Sequence, residues 1–338
     1  MTAVTGTVGT ARTAPTTSSL TTSPVTTVRV RQIRWEAEGV VSITLGRDDA
    51  SPLPGWEPGE HLDLHLREGR IRQYSLCGDP QDRTTWTVAV RLEPEGNGGS
   101  RHVHDGLRVG ELVEITGPRQ RFALRDAPGY LFVAGGIGIT PLLPMVVRAA
   151  RLGLPWRLLY AGTRRSTLPF LDVLARYGDQ VQVFATREGA PLDLATTLPT
   201  ALADLPAGSP VYCCGPDRML DAVTGLVGPG SLVSERFRPT LIAPPPDALA
   251  GGFEVEVGAG GQVLVVSPDD AMIDVLLDAG VDIEYSCREG ICGTCETGVL
   301  AGVPDHRDNV LTEAERAAGT LVFPCVSRSL TARLTLDL

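Results

Sequence analysis

Four of the seven cysteines, Cys287, Cys292, Cys295 and Cys325, follow the spacing Cys-x4-Cys-x2-Cys, with the last one after a further 29 intervening residues. Thiolates at these intervals suit a 2Fe-2S cluster. The loop Cys287-Arg-Glu-Gly-Ile-Cys-Gly-Thr-Cys295 must then wrap an inorganic core and aim N–H groups at sulfur. Gly290 and Gly293 keep its backbone clear of side chains. The competing chemistry is structural zinc, whose four cysteines commonly come as two paired motifs, whereas one Cys-x2-Cys pair is present here.

A second constellation is Val133-Ala-Gly-Gly-Ile-Gly-Ile-Thr-Pro141, which reads as a strand end opening into a helix, with Thr140 as N-cap and Pro141 as first helical residue. Gly135, Gly136 and Gly138 let a ligand approach the backbone, and a helix N-terminus attracts a pyrophosphate. Tight packing is the alternative use of such glycines, and the spacing is not that of the G-x-G-x-x-G fingerprint. His61, His65, His102 and His104 have no carboxylate or thiol at metal spacing and read as surface or satisfied histidines.

Composition removes several chemistries. All 30 basic residues are arginine, so no phosphate-loop, Schiff-base or kinase lysine exists. The formal charge is −10, and residues 251–338 carry all of it, with 15 acids against 5 arginines. That argues against nucleic acid, which needs a basic face, and marks the last quarter as a docking module or a solvated acidic domain. The stretch Tyr130–Val147 is broken by glycine and proline and is not a membrane span.

The elements that must position these residues fall into three modules. From Val28 to Arg125, short alternating apolar runs (Val40–Leu45, His61–Leu66, Trp86–Leu92, Leu112–Ile115) separated by turn signals suggest an antiparallel barrel or sandwich. From Gly129 the texture becomes strand–helix alternation, which implies a parallel sheet: strands at Tyr130–Ala134, Arg157–Tyr160, Val181–Thr186 and Val211–Cys214, helices at Pro141–Leu152, Leu168–Tyr177 and Met219–Val227. Strands return at Phe253–Val257 and Val263–Val266, followed by a helix at Met272–Ala279. The expected division is a disordered tail over 1–27, a barrel over 28–126, an α/β domain over 127–239, a proline-rich linker over 240–251 and the cysteine domain over 252–338.

The cysteine segment, with "GVPDHRDNVLTEAE" and "VFPCVSRS" after it, resembles the carboxy-terminal ferredoxin domain of the phthalate dioxygenase reductase family, within the ferredoxin–NADP reductase superfamily. The resemblance implies a multidomain fold: antiparallel β-barrel flavin domain, parallel-sheet nucleotide domain and α+β β-grasp ferredoxin domain. It implies that Arg72-Gln-Tyr-Ser-Leu-Cys77 is the flavin signature. Arg72 pairs with the flavin phosphate, Tyr74 lies along the ring, Ser75 bonds near N5, and Leu76 adjoins them. Asn97-Gly-Gly-Ser100 resembles the phosphate loop, giving Gly98, Gly99 and Ser100. Phe237 of Ser234-Glu-Arg-Phe237 resembles the ring that covers the flavin.

Val211-Tyr-Cys-Cys-Gly-Pro216 and the glycine turn together resemble the two nicotinamide-binding segments of that superfamily, which implies a nicotinamide site of Cys214, Gly215 and Pro216 with Gly135, Gly136, Gly138, Thr140 and Pro141. Arg164, in Thr163-Arg-Arg-Ser166, stands where the family reads the adenosine ribose. The implied catalytic set is Ser75, Thr140 and Cys214. The implied cofactors are FMN, with FAD as alternative, a 2Fe-2S cluster, and NADH, with NADPH as alternative. His306, in Asp-His-Arg-Asp308, matches a family segment without an assigned role.

The expected activity is that of an NADH-dependent oxidoreductase. It passes electrons through FMN and the cluster to a terminal oxygenase, Rieske-type or cytochrome P450. The alternatives are a stand-alone flavin reductase or NADH oxidase, and a ferredoxin-like carrier. A cytoplasmic monomer with no membrane attachment is expected, because clustered cysteines remain thiols in a reducing compartment.

Overall fold

The structure, a computed structural model, describes residues 25–96, 98–228, 230–239 and 251–338. The expected tail up to residue 24, Asn97 and the linker up to residue 250 lie outside the described residues. Six strands come first: β1 (Thr26–Ala37), β2 (Val40–Gly46), β3 (Glu60–His65), β4 (Ile71–Ser75), β5 (Trp86–Arg91) and β6 (Leu112–Gln120). They pair antiparallel in the order β4-β3-β6-β1-β2-β5. A bridge between Leu76 and Val88 joins the two ends and closes the barrel. Alternate residues (Val28, Ile43, Leu62, Leu64, Val88, Ile115) fill its core. A one-turn helix α1 (Gly99–Arg101) lies between β5 and β6.

A second sheet runs parallel throughout, ordered β11-β10-β7-β8-β9. Its strands are β7 (Tyr130–Gly135), β8 (Trp156–Gly162), β9 (Val181–Ala185), β10 (Val211–Cys214) and β11 (Leu232–Glu235). Helices α2 (Ile139–Arg151), α3 (Leu171–Leu174), α4 (Leu194–Ala203) and α5 (Asp217–Leu226) connect them. Every residue of β7 and β10 is buried, as expected for strands covered on both faces. Barrel residues Ala37, Cys77, Ala89 and Phe122 share one core with Tyr130, Leu142 and Tyr212. The Tyr212 hydroxyl donates to Ala123 and accepts from the Arg125 amide, pinning the segment between the two modules.

Two helix expectations need correction. α2 begins at Ile139 with Gly138 at its N-cap, so Thr140 lies inside the helix and its hydroxyl donates to the Ile137 carbonyl at 3.0 Å. Over Leu168–Tyr177 only α3 is α-helical. Buried Phe170 takes a left-handed φ of 64° before it, and a 3₁₀ segment, Ala175–Gln180, follows. The expectations also passed over α4, whose interior Pro199 reads as a breaker and whose N-cap is Asp193.

The last module is a mixed five-stranded sheet, β13-β12-β18-β14-β16, with β12 and β18 parallel. Its strands are β12 (Phe253–Val257), β13 (Gln262–Val266), β14 (Thr297–Ala301), β16 (Leu321–Val322) and β18 (Arg333–Asp337), while β15 (Pro304–Asp305) pairs with β17 (Arg328–Ser329). Helix α6 (Met272–Asp278) supplies Met272, Ile273 and Leu276 to its core, and α7 (Glu313–Ala318) starts with a Thr312/Glu315 capping box. Among the described residues no helix is long and apolar enough to cross a membrane.

The glycine turn packs densely. A Cβ on Gly138 would stand 2.2 Å from the Cys214 carbonyl oxygen, and one on Gly135 would stand 2.5 Å from Pro216 Cδ. Gly138→Ala is expected to lower stability by roughly 1–3 kcal/mol through overpacking. Urea unfolding beside the parent checks this, and an unchanged midpoint would refute it.

Candidate functional site

The four cage cysteines lie on the loop between α6 and β14 and just after β16. Their thiols meet as two pairs, Cys287 with Cys292 and Cys295 with Cys325. The amides of Glu289 and Thr294 donate to the sulfurs of Cys287 and Cys292 at 3.3 and 3.4 Å. A hydrogen bond from Cys287 lowers the Cys292 thiol to about 6 against the effect of burial, and its bond with Cys295 lowers the Cys325 thiol. Four thiols gathered in one loop region, with backbone N–H groups aimed at two of the sulfurs, fit a 2Fe-2S centre.

Beside the cage lies a cleft walled by all three modules. The barrel gives Tyr74, Ser75 and His61, the parallel-sheet module gives Glu235 and Phe237, and the cysteine loop gives Ile291 and Cys292. An adjoining cleft continues past Tyr74 and Phe237 to Arg72, Gly99 and Ser100. Flat rings from two modules at one end, and an arginine with a glycine turn at the other, fit a flavin and its phosphate. Gly99 admits the Arg72 stem, since a Cβ there would be 2.8 Å from Arg72 Cγ, and Gly98 holds φ +82°. The Ser100 hydroxyl already accepts from the Glu93 amide at 2.9 Å. Burial pushes the Tyr74 hydroxyl up to about 12, so it stays a neutral donor. Leu76 is turned away from the cleft: its side chain fills the barrel core and its amide donates to Glu60.

A third groove runs over the carboxyl ends of β7, β8 and β10, lined by Gly135, Gly136, Thr163, Pro216, Arg218 and Met219 among others. This is where ligands of open parallel sheets lie. A Cβ on Gly136 would meet only the Arg91 guanidinium, at 3.9 Å, so the backbone there faces open space suited to a dinucleotide. Gly138, Thr140, Pro141 and Cys214 do not line it. All four are buried, Gly138 packs on the Cys214 carbonyl, and burial holds the Cys214 thiol well above its usual range. Gly215 packs against Gly135. Arg164 is exposed outside the lining, and its carbonyl accepts from Thr167.

Sequence reasoning left out several lining groups. His61 pairs directly with Ser75 across β3 and β4, and its Nε2 lies 3.1 Å from Gln73 Nε2. The signal that would have found it is strand pairing, which puts alternate residues of both strands on one face. Arg121 and Arg218 carried no motif at all.

Glu235 is half-buried on the cleft wall, its Oε2 is shut off from solvent without a hydrogen-bond partner, and desolvation pushes its carboxyl up to about 8. The folded state therefore holds this proton more tightly than the unfolded chain. The stability it contributes is complete below the ordinary value of 4.5 and is lost as pH rises through about 8. Glu235→Gln is expected to flatten that decline and to exceed the parent at pH 9 by roughly 1–3 kcal/mol. Urea unfolding at pH 5, 7 and 9 measures it. Parallel declines in both proteins would refute it.

Comparison with known proteins agrees with this arrangement. A 2Fe-2S iron-sulfur cluster binding domain matches residues 255–330, and an oxidoreductase FAD-binding domain matches residues 38–124. The chain is 43% identical over 326 residues to the phenoxybenzoate dioxygenase subunit beta of Ectopseudomonas oleovorans, covering 95% of this chain and 99% of that protein. It is 36% identical to a vanillate O-demethylase oxidoreductase of Pseudomonas sp. (strain HR199 / DSM 7063), covering 92% and 99%.

Among solved structures it overlays phthalate dioxygenase reductase with a TM-score of 0.68 and 32% identity, over 93% of this chain and 98% of that one. It also overlays an intact type IV self-sufficient cytochrome P450 monooxygenase with a TM-score of 0.82 and 41% identity, over 93% of this chain. The chain spans only 41% of that P450 protein. The site and fold define an oxidoreductase built from flavin, nucleotide and iron–sulfur modules. The chain belongs to the phthalate dioxygenase reductase family, the class of NADH-dependent oxidoreductases in which a flavin and a 2Fe-2S cluster carry electrons to an oxygenase.

Proposed function

We propose that this protein is the reductase of a Rieske-type oxygenase system, using NADH, FMN and a 2Fe-2S cluster. The observation that carries this is the single cleft lined by Tyr74 and Ser75, Glu235 and Phe237, and Ile291 and Cys292, one pair from each module. When bound, the flavin and cluster supply the change from two-electron to one-electron chemistry. Arg72, with the Gly98-Gly99-Ser100 turn, holds the phosphate. Tyr74 and Phe237 confine the ring, and Ser75 presents a hydroxyl to it. Gly135, Gly136 and Pro216 floor the dinucleotide groove, while Cys214, Gly138, Thr140 and Pro141 set its shape from beneath. Arg164, exposed next to the lining residue Thr163, is assigned to reading a ribose phosphate.

A separate oxygenase partner is supported by relatives of nearly equal length named for dioxygenase and demethylase systems, whereas the P450 likeness is to a much longer chain. The visible spectrum of the purified protein tests the reading. Flavin and iron–sulfur bands that both bleach with NADH support it; flavin bleaching alone indicates a stand-alone flavin reductase, and no response indicates a carrier. Light scattering tests the monomer, and the thiol-rich cage favours a reducing cytoplasm. The acidic cluster module calls for a basic patch on the oxygenase and coupling that weakens with salt.

A further inference from the structure

The barrel meets the cysteine loop through two arginines at the end of β6. The Arg119 guanidinium lies 2.6 Å from Asp63 Oδ2, 3.2 Å from Thr294 Oγ1 and 3.7 Å from Glu284 Oε2. Arg121 donates to the Gly293 carbonyl at 2.7 Å and lies 3.6 Å from Glu296 Oε2. Gly293 and Thr294 are the two residues between Cys292 and Cys295. Gly293 takes φ +72°, and a Cβ on it would stand 2.6 Å from Arg121 Cζ. Only glycine therefore lets this guanidinium lie flat on the loop. Asp63 is buried on the barrel side and fixes Arg119 from behind. The Arg119 side chain is only 18% exposed, so its pairs are screened less than surface pairs.

We propose that Arg119 and Arg121 are positioning residues that clamp the Cys292–Cys295 loop to the flavin cleft and so set the rate of electron entry into the cluster. This rests on the electron order proposed above. The step is a transfer of one electron, lost by the reduced flavin and gained by the oxidised cluster, with no bond made or broken. The clamp explains why the loop presents Ile291 and Cys292, not Cys287, to the cleft that holds Tyr74 and Ser75.

Stopped-flow reduction of the holoprotein by NADH tests it in two stages. In the parent, flavin bleaching must precede cluster bleaching; cluster bleaching first would sink the electron order itself. Given that order, Glu284→Gln/Glu296→Gln is expected to leave flavin bleaching unchanged and to slow cluster bleaching about tenfold, the loss of two partly buried ion pairs. Arg119→Gln/Arg121→Gln slows the cluster step at least as much, and Arg119→Lys/Arg121→Lys recovers part of it.

Hydrogen exchange over residues 284–296 rises in both neutralised variants, which gives a readout independent of turnover. If the arginine variants fail to fold, the acidic pair and the parent's salt dependence decide. The parent's cluster step slows with added salt, and that of Glu284→Gln/Glu296→Gln does not. Cluster bleaching within twofold of the parent in the acidic-pair variant, with unchanged exchange, would overturn the clamp.

Discussion

Cys292→Ser is expected to yield protein that lacks the two irons, still bleaches its flavin with NADH, and reduces cytochrome c at least about 100-fold more slowly than the parent. The expectation follows from the place of Cys292. It is buried, it carries the lowered thiol of its pair, and alone among the four cage cysteines it lines the cleft with Tyr74 and Ser75. Loss of a ligand costs more than the 10- to 100-fold typical of its outer-shell partners. Iron analysis, the visible spectrum and cytochrome c assays read the three outcomes. Full-speed cytochrome c reduction by an iron-free variant would show that electrons leave from the flavin and that the cluster lies off the path.

Arg72→Gln should empty the flavin site. Arg72, on β4 opposite Leu64 of β3, lies along Gly99 and lines the glycine-turn end of the cleft. Removing one partner of a partly buried charge pair costs about 2–4 kcal/mol, or roughly 30- to 1000-fold in flavin affinity. Fluorescence titration of flavin-stripped protein with FMN and with FAD measures it and also establishes which flavin is held more tightly. Affinity within threefold of the parent would remove Arg72 from the phosphate site. Arg164→Gln, outside that cleft, should leave flavin affinity alone and change only the preference between NADH and NADPH.

What the sequence revealed follows from how local each signal is. β7, β10 and β12 were legible because continuous or alternating apolar runs bounded by turn residues need no distant partner. The cage was legible because three of its four ligands lie within nine residues. The segment Arg72–Cys77 pointed to Tyr74 and Ser75, which line the cleft, and also offered Leu76, whose side chain alternation turns into the barrel core. Thr140 looked like a cap because hydroxyls favour that position, but the helix starts two residues earlier, with Gly138 at its N-cap packed on the Cys214 carbonyl. Arg121 was illegible for another reason. It meets Gly293 across 172 positions, and no local pattern reports a contact made only when two modules dock. His61 was hidden likewise, since its neighbour Ser75 is fixed by strand register and not by proximity in the chain.

The wall contributed by Ile291 and Cys292 has one more effect. Reduced flavins exposed to air give up their electrons to dioxygen, and a ring held in this cleft would be screened from that leak by Ile291 and Cys292. A chain ending before residue 251 would keep the barrel and the parallel sheet but lose the shutter, and NADH consumed by it would emerge as hydrogen peroxide.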